Sequence, residues 1–162
     1  MKQDLLNLET LTIQTFDDTG GSRHGLAQIF KYDAERVKSL VSQGAGIYFT
    51  INPQIEPYKR SIENTEKFAG LALDLDVAKE KERVPKSEIV ERKTILRRKL
   101  HSLFLPPNRI IETKNGLQPV WLWKSPIPLP STKHRFEANN YYQQIVLGFE
   151  KATGLKSEGD NL

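Results

Sequence analysis

Phe68-Ala69-Gly70-Leu71-Ala72-Leu73-Asp74-Leu75-Asp76-Val77 is an apolar run that carries two aspartates two positions apart. In an extended strand, residues i and i+2 project from the same face. The stretch therefore predicts one strand with Asp74 and Asp76 on one face and Leu73, Leu75 and Val77 on the other. Neighbouring carboxylates repel each other and lose hydration when partly buried, unless something positive lies between them. A hard divalent cation, which takes oxygen ligands, is one such counter-charge. A strand end at which both aspartates reach water gives the same pattern, and an isolated Asp-x-Asp leaves both readings open.

Upstream of this strand, residues 54–66 are polar and hold Lys59 and Arg60 in a loop or short helix. Before them, Ile47-Tyr48-Phe49-Thr50-Ile51 is aromatic and β-branched, and reads as a strand stopped by Asn52-Pro53. Asp33 suits the N-cap of a helix over 34–42, with Val37, Leu40 and Val41 inward and Gly44-Ala45-Gly46 ending it. Residues 12–16 alternate as a strand, 17–22 form a Gly- and Asp-rich loop, and 27–30 make a second short strand. Leucines 5, 8 and 11 suit a short first helix.

Downstream, 78–85 is a charged loop, and Ser87 is the expected cap of a helix over 88–102. Its inward set is Ile89, Ile95, Leu96, Leu100 and Leu103; Glu91, Arg92, Lys93, Arg97, Arg98 and Lys99 lie outward. Pro106-Pro107 blocks further helix. Residues 109–113 and 119–123 read as strands joined at Lys114-Asn115-Gly116, because Asn-Gly is a strong hairpin signal. A proline-rich loop covers 126–130, and the last helix runs over 135–152 with Phe136, Tyr141, Ile145, Val146 and Phe149 for the core.

The order β-β-α-β-β-α-β-β-α predicts an α/β fold, with antiparallel pairs covered by helices rather than a doubly wound dinucleotide fold. A length of 162 residues points to a single domain over 1–162. Hydrophobic residues at 38% and charged residues at 27% suit a globular chain, and the net charge of +4 is compatible with a polyanionic partner. The lack of cysteine rules out disulfides and thiolate zinc sites. No apolar stretch approaches the ~20 residues of a membrane span. The amino terminus lacks a signal-peptide core, so no membrane association and a cytoplasmic location are expected. His24, His101 and His134 lack zinc-site spacing, and no phosphate loop, GxGxxG or Gly-x-Ser-x-Gly elbow occurs.

Three basic or polar groups could meet phosphate. The hairpin gathers Thr113, Lys114, Asn115 and Gln118, although its pattern alone favours an ordinary solvated turn. Lys59 and Arg60 stand in the loop before the aspartate strand, a position that favours binding over the basic helix. The helix cations read first as a solvated face. Trp121 and Trp123 share a strand face and read first as core packing, then as base-stacking residues.

Thr15-Phe16-Asp17-Asp18, Leu26-Ala27-Gln28-Ile29-Phe30, the run from Gly44 to Pro53, and Ala72-Leu73-Asp74-Leu75-Asp76 follow one another in an order that resembles the RepB-type primases of plasmids and phages. These belong to the archaeo-eukaryotic primase superfamily, the primase-polymerases. Its first signature, Asp-x-Asp on an apolar strand, is matched by Asp74 and Asp76. Its second is a hairpin commonly reading Ser-x-Gly-x-x-His-x-x-Trp; here the region is Glu112 to Trp121, with Gln118 where the family has histidine. Its third is a late aspartate, matched by Gly159-Asp160, after which the chain ends at Leu162 while family members continue.

The resemblance implies an RRM-like mixed or antiparallel sheet flanked by helices, and a primase or primase-polymerase activity. Asp74, Asp76 and Asp160 would be the catalytic metal ligands for Mg²⁺ or Mn²⁺. Lys59, Arg60, Lys114, Asn115 and Gln118 would bind nucleotide. The implied partners are a single-stranded DNA template, nucleoside triphosphates and a replicative helicase. The alternatives are a catalytically impaired nucleic-acid-binding module of the same fold and a metal-dependent nuclease.

Overall fold

The computed structural model describes residues 11–21, 23–78 and 82–157. The first helix expected over 4–11 falls almost wholly outside them, as does Asp160. The elements are β1 (Thr12–Asp17), β2 (Gln28–Lys31), α1 (Ala34–Ser42), β3 (Ala45–Phe49), β4 (Lys67–Ala72), β5 (Leu75–Asp76), α2 (Lys86–His101), β6 (Arg109–Glu112), β7 (Gly116–Pro128) and α3 (Thr132–Thr153). Short 3₁₀ turns occupy His24–Leu26 and Ile62–Asn64. This is a mixed α/β fold with two antiparallel sheets and flanking helices. No helix among the described residues is long and apolar enough to cross a membrane. The chain divides into two compact units, one of Met1–Ala69 with Lys124–Ala138 and one of Gly70–Trp123 with Asn139–Asn161.

The first unit holds a three-stranded sheet in the order β2-β1-β3, with Ile13 opposite both Phe30 and Phe49. Alternation along β1 turns Ile13 and Thr15 to one face, where they meet a core of Leu11, Leu26, Phe30, Leu40 and Ala45. Thr15 is tolerated there because its Oγ1 donates to the Leu26 carbonyl at 2.6 Å. Asp33 caps α1 as expected, accepting from the Arg36 N–H at 3.0 Å. Val41, expected inward, is exposed. Gly44 ends the helix with φ +91°, a conformation that L side chains rarely adopt.

The second unit is built on β7 up to Trp123, which carries β6 on one side and, in succession on the other, β4 from Gly70 and then β5. The single strand expected over Phe68–Val77 is therefore interrupted at Leu73 and Asp74. Pro119 supplies the reason. Leu73 donates its N–H to the Pro119 carbonyl at 3.1 Å, but proline has no N–H with which to return the bond. The ladder resumes at Leu75, opposite Leu117.

The helices bury part of the expected sets. In α2, Leu96 and Leu100 are buried as expected, but Lys93 is buried too and Ile95 is exposed. No side chain caps the helix, which opens after Pro85 rather than at Ser87. In α3, Val146 is buried as expected, alongside Ala138 and Tyr142, whereas Phe136, Tyr141 and Ile145 are exposed. Tyr142 donates its hydroxyl to the Ala72 carbonyl at 2.6 Å. β7 also extends through Pro126 to Pro128, where a loop was expected. Both prolines are exposed, and a strand accommodates proline where no neighbour requires its N–H.

Candidate functional site

The β5–β7 register decides which side chains share a face. Leu75 lies opposite Leu117 and Asp76 opposite Gly116. With Leu73 bonded to Pro119, the position between them places Asp74 opposite Gln118. This is a non-hydrogen-bonded pair, the arrangement in which facing side chains lie closer together. Asp74, Asp76 and Gln118 thus project from one face, whose next row inward is Ala72 and Val120. The opposite face carries Leu73, Leu75 and Leu117, all buried. Asp74 and Gln118 are half-buried and Asp76 is exposed, so the carboxylates run from the sheet interior to its wet end.

The hairpin tip adjoins Asp76 directly. Val77 donates its N–H to the Asn115 carbonyl at 3.0 Å. Thr113 N–H bonds the Gly116 carbonyl at 3.1 Å, and Gly116 N–H bonds the Thr113 hydroxyl at 3.0 Å. The hairpin is where Asn-Gly predicted it, but its turn is of another kind. No described non-glycine residue has positive φ, and Gly116 does not either, so this is not the mirror-image turn that Asn-Gly favours. Gly116 is needed for space: a β-carbon there would stand 2.7 Å from Asp76 Oδ1 and closer still to the Leu75 carbonyl oxygen.

Two cations expected on the outer face of α2 brace this tip instead. Lys93 Nζ donates to the Thr113 carbonyl and reaches Glu112 Oε1 at 3.3 Å. Arg97 Nη2 donates to Glu112 Oε2 at 3.0 Å. A long lysine stem can occupy a buried helix position while its ammonium finds polar partners at the rim. Lys114 stays exposed at the tip, with Asn115 half-buried beside it.

Asp76 also borders a cleft of about 390 Å³ with an apolar floor that includes Leu75, Leu96 and Leu155. Arg92, Lys99 and Lys156 contribute to its lining. Arg92 is held there by the Val77 carbonyl at 2.8 Å and Glu88 at 2.6 Å, and Lys99 donates to the Thr153 carbonyl. Lys156 was not singled out from sequence, because nothing local marks a lysine after the last helix as lining a cleft beside residue 76.

Lys59 and Arg60 belong to the first unit and are exposed. Their loop is held by buried Asn64, whose Nδ2 donates to the carbonyls of Glu56, at 2.7 Å, and Lys59, while its Oδ1 accepts from Glu56 N–H at 3.0 Å. Arg60 Nη1 donates to Gln14 Oε1 at 3.1 Å. At the end of β1, Asp17 serves the loop that follows it. Its carboxylate accepts from the Thr19 hydroxyl, from Arg23 N–H at 2.9 Å and from Thr19 N–H at 3.0 Å, which hold its pKa far below the ordinary carboxylate range.

Among the described residues, no three His, Asp or Glu side chains converge on a point that could hold a metal ion. Asp74 and Asp76 nevertheless suit a hard cation. Magnesium is commonly held by one or two carboxylates plus water and substrate phosphates. The absent Gly116 side chain lets Asp76 and the Leu75 carbonyl pack directly against the hairpin backbone. Comparison with protein-family models, with curated proteins and with solved structures gives no match for this chain.

Proposed function

We propose that the chain is the catalytic domain of a primase or primase-polymerase from a mobile element, with an RRM-like core that joins nucleoside triphosphates on a single-stranded DNA template. The observation that carries this reading is the grouping of Asp74, Asp76 and Gln118 on one face, next to a hairpin tip bearing Lys114 and Asn115. Bound Mg²⁺ or Mn²⁺ would activate a primer 3′-hydroxyl and offset the charge of the triphosphate. Asp74 and Asp76 would hold the ion, with Asp160 as the third carboxylate. The Gln118 amide would donate a neutral hydrogen bond to a phosphate oxygen. Lys114 and Asn115 would meet the triphosphate at the turn, and Lys59 and Arg60 would meet phosphates of nucleotide or template. A replicative helicase would be the partner that exposes the template.

Primer synthesis on single-stranded DNA with Mn²⁺ and labelled nucleotides tests the reading. Wild type should yield primers, and Asp74→Asn or Asp76→Asn should each lower the rate by about a hundredfold or more, as expected when a ligand to a catalytic ion is lost. Wild type that makes no primer would overturn it. Degradation of labelled strand without added nucleotide would point to a nuclease. Gln118, uncharged where the resembled family has histidine, favours a second reading as a binding module without catalysis. In that case Asp74→Asn/Asp76→Asn would bind DNA as wild type does, and neither protein would make product.

A further inference from the structure

The outer face of the first sheet is covered at its Thr12 end, where Thr12 is buried, and open where Phe16 and Tyr48 stand. β1 sends Ile13 and Thr15 into the core, so Gln14 and Phe16 point the other way. The register sets Tyr48 beside Gln14 and Gly46 beside Phe16. The two rings meet edge to face with centroids 5.2 Å apart, yet Phe16 remains 43% exposed and Tyr48 48%. Rings recruited only to close a core would bury more of themselves, since burial is what stabilises them. Gly46 has no side chain with which to cover Phe16.

Positive charge borders these rings. Arg60 bonds Gln14, which brings its guanidinium to the position flanked by Tyr48. Lys31, one row further along the same face, and Lys59, next to Arg60, are exposed. Acids border it too: Asp18, whose Cβ lies 3.4 Å from where a Gly46 side chain would begin, at the opposite end from Lys31, and Glu63, which feels the charge of Lys59.

We propose that this face is a stacking platform for single-stranded DNA, with Phe16 and Tyr48 under the bases and Arg60, Lys59 and Lys31 on the phosphates. The proposal rests on reading the chain as a DNA-handling protein, and it identifies where the template is gripped. Aromatic faces accept any base, and cations neutralise phosphates without reading sequence, so the platform suits a template of arbitrary sequence.

Fluorescence anisotropy of the full chain, with a labelled oligothymidylate and an abasic strand of equal length, tests it. Phe16→Ala and Tyr48→Ala should each weaken oligothymidylate binding roughly five- to 150-fold, the range for one lost base stack. Neither should change abasic-strand binding, and Tyr48→Phe should bind as wild type. Arg60→Gln should weaken both strands and flatten the salt dependence. Ring variants that bind oligothymidylate normally, or that lose both strands equally, would overturn the proposal. So would sedimentation showing that Tyr48→Ala dissolves a dimer while DNA binding is unchanged, because the face would then be an interface between copies. Ring-dependent binding by a wild type that makes no primer would support the platform while removing the polymerase reading.

Discussion

At Gly116, one added methyl would stand 2.7 Å from Asp76 Oδ1 and nearer still to a backbone oxygen that cannot swing aside. Replacing glycine with alanine at an ordinary negative φ gains about 0.4–1 kcal/mol by restricting the unfolded chain. Overpacking costs about 1–3 kcal/mol, so the clash wins. Gly116→Ala should lower the thermal midpoint and weaken Mn²⁺ binding followed by titration calorimetry, even in a protein never asked to turn over. Asp17 makes a different prediction. Its pKa is depressed by hydrogen bonds from Thr19 and Arg23, so the stability it contributes is present above the ordinary carboxylate range and lost as pH falls below it. The thermal midpoint of Asp17→Asn should trail wild type at neutral pH, and the gap should close progressively below about pH 4.

At the scale of elements, the distinctive unit is β7 with its proline. Pro119 sits in a strand flanked on both sides, where proline is rare because it withholds a ladder bond. Pro119→Val would present an N–H to the Leu73 carbonyl and join β4 to β5. The gain expected is about 0.5–1.5 kcal/mol, seen as a raised denaturation midpoint. Activity should fall or hold rather than rise, because the substitution stiffens the backbone on which Asp74 is carried. The two long helices illustrate how a sequence can indicate an element and still misplace part of its face. In α3, aromatic and aliphatic residues stand at both 141 and 142 and at both 145 and 146, so a shift of one residue satisfies the periodicity nearly as well. In α2, only contact with Glu112 and Thr113, which are distant in sequence, explains why Lys93 turns inward and Ile95 does not.

Across the whole molecule, the order of strands and helices was legible because it depends on local signals. Asp33 marks a cap, Asn52-Pro53 a stop, and Asn115-Gly116 a hairpin. The pairing of Asp74 with Gln118 could be suspected from the resemblance, but it rests on a register that no local pattern states. The split at Leu73 was present in the sequence as Pro119, yet it becomes visible only when the two residues are known to be opposite each other. Likewise, Phe16 and Tyr48 read as strand residues; that both face water depends on which face of the sheet α1 covers.

The missing bond at Pro119 also divides the β4–β5 edge kinetically. β5 is only two residues long, and the interruption separates it from β4, so the end bearing Asp76 can open without unzipping β4 from β7. Amide deuterium exchange should therefore be fast at Asp76 and Val77 and slow at Leu71 and Trp121. A hinge of this kind would let a carboxylate swing toward an arriving ion and relax when it leaves, while the sheet that carries it stays shut.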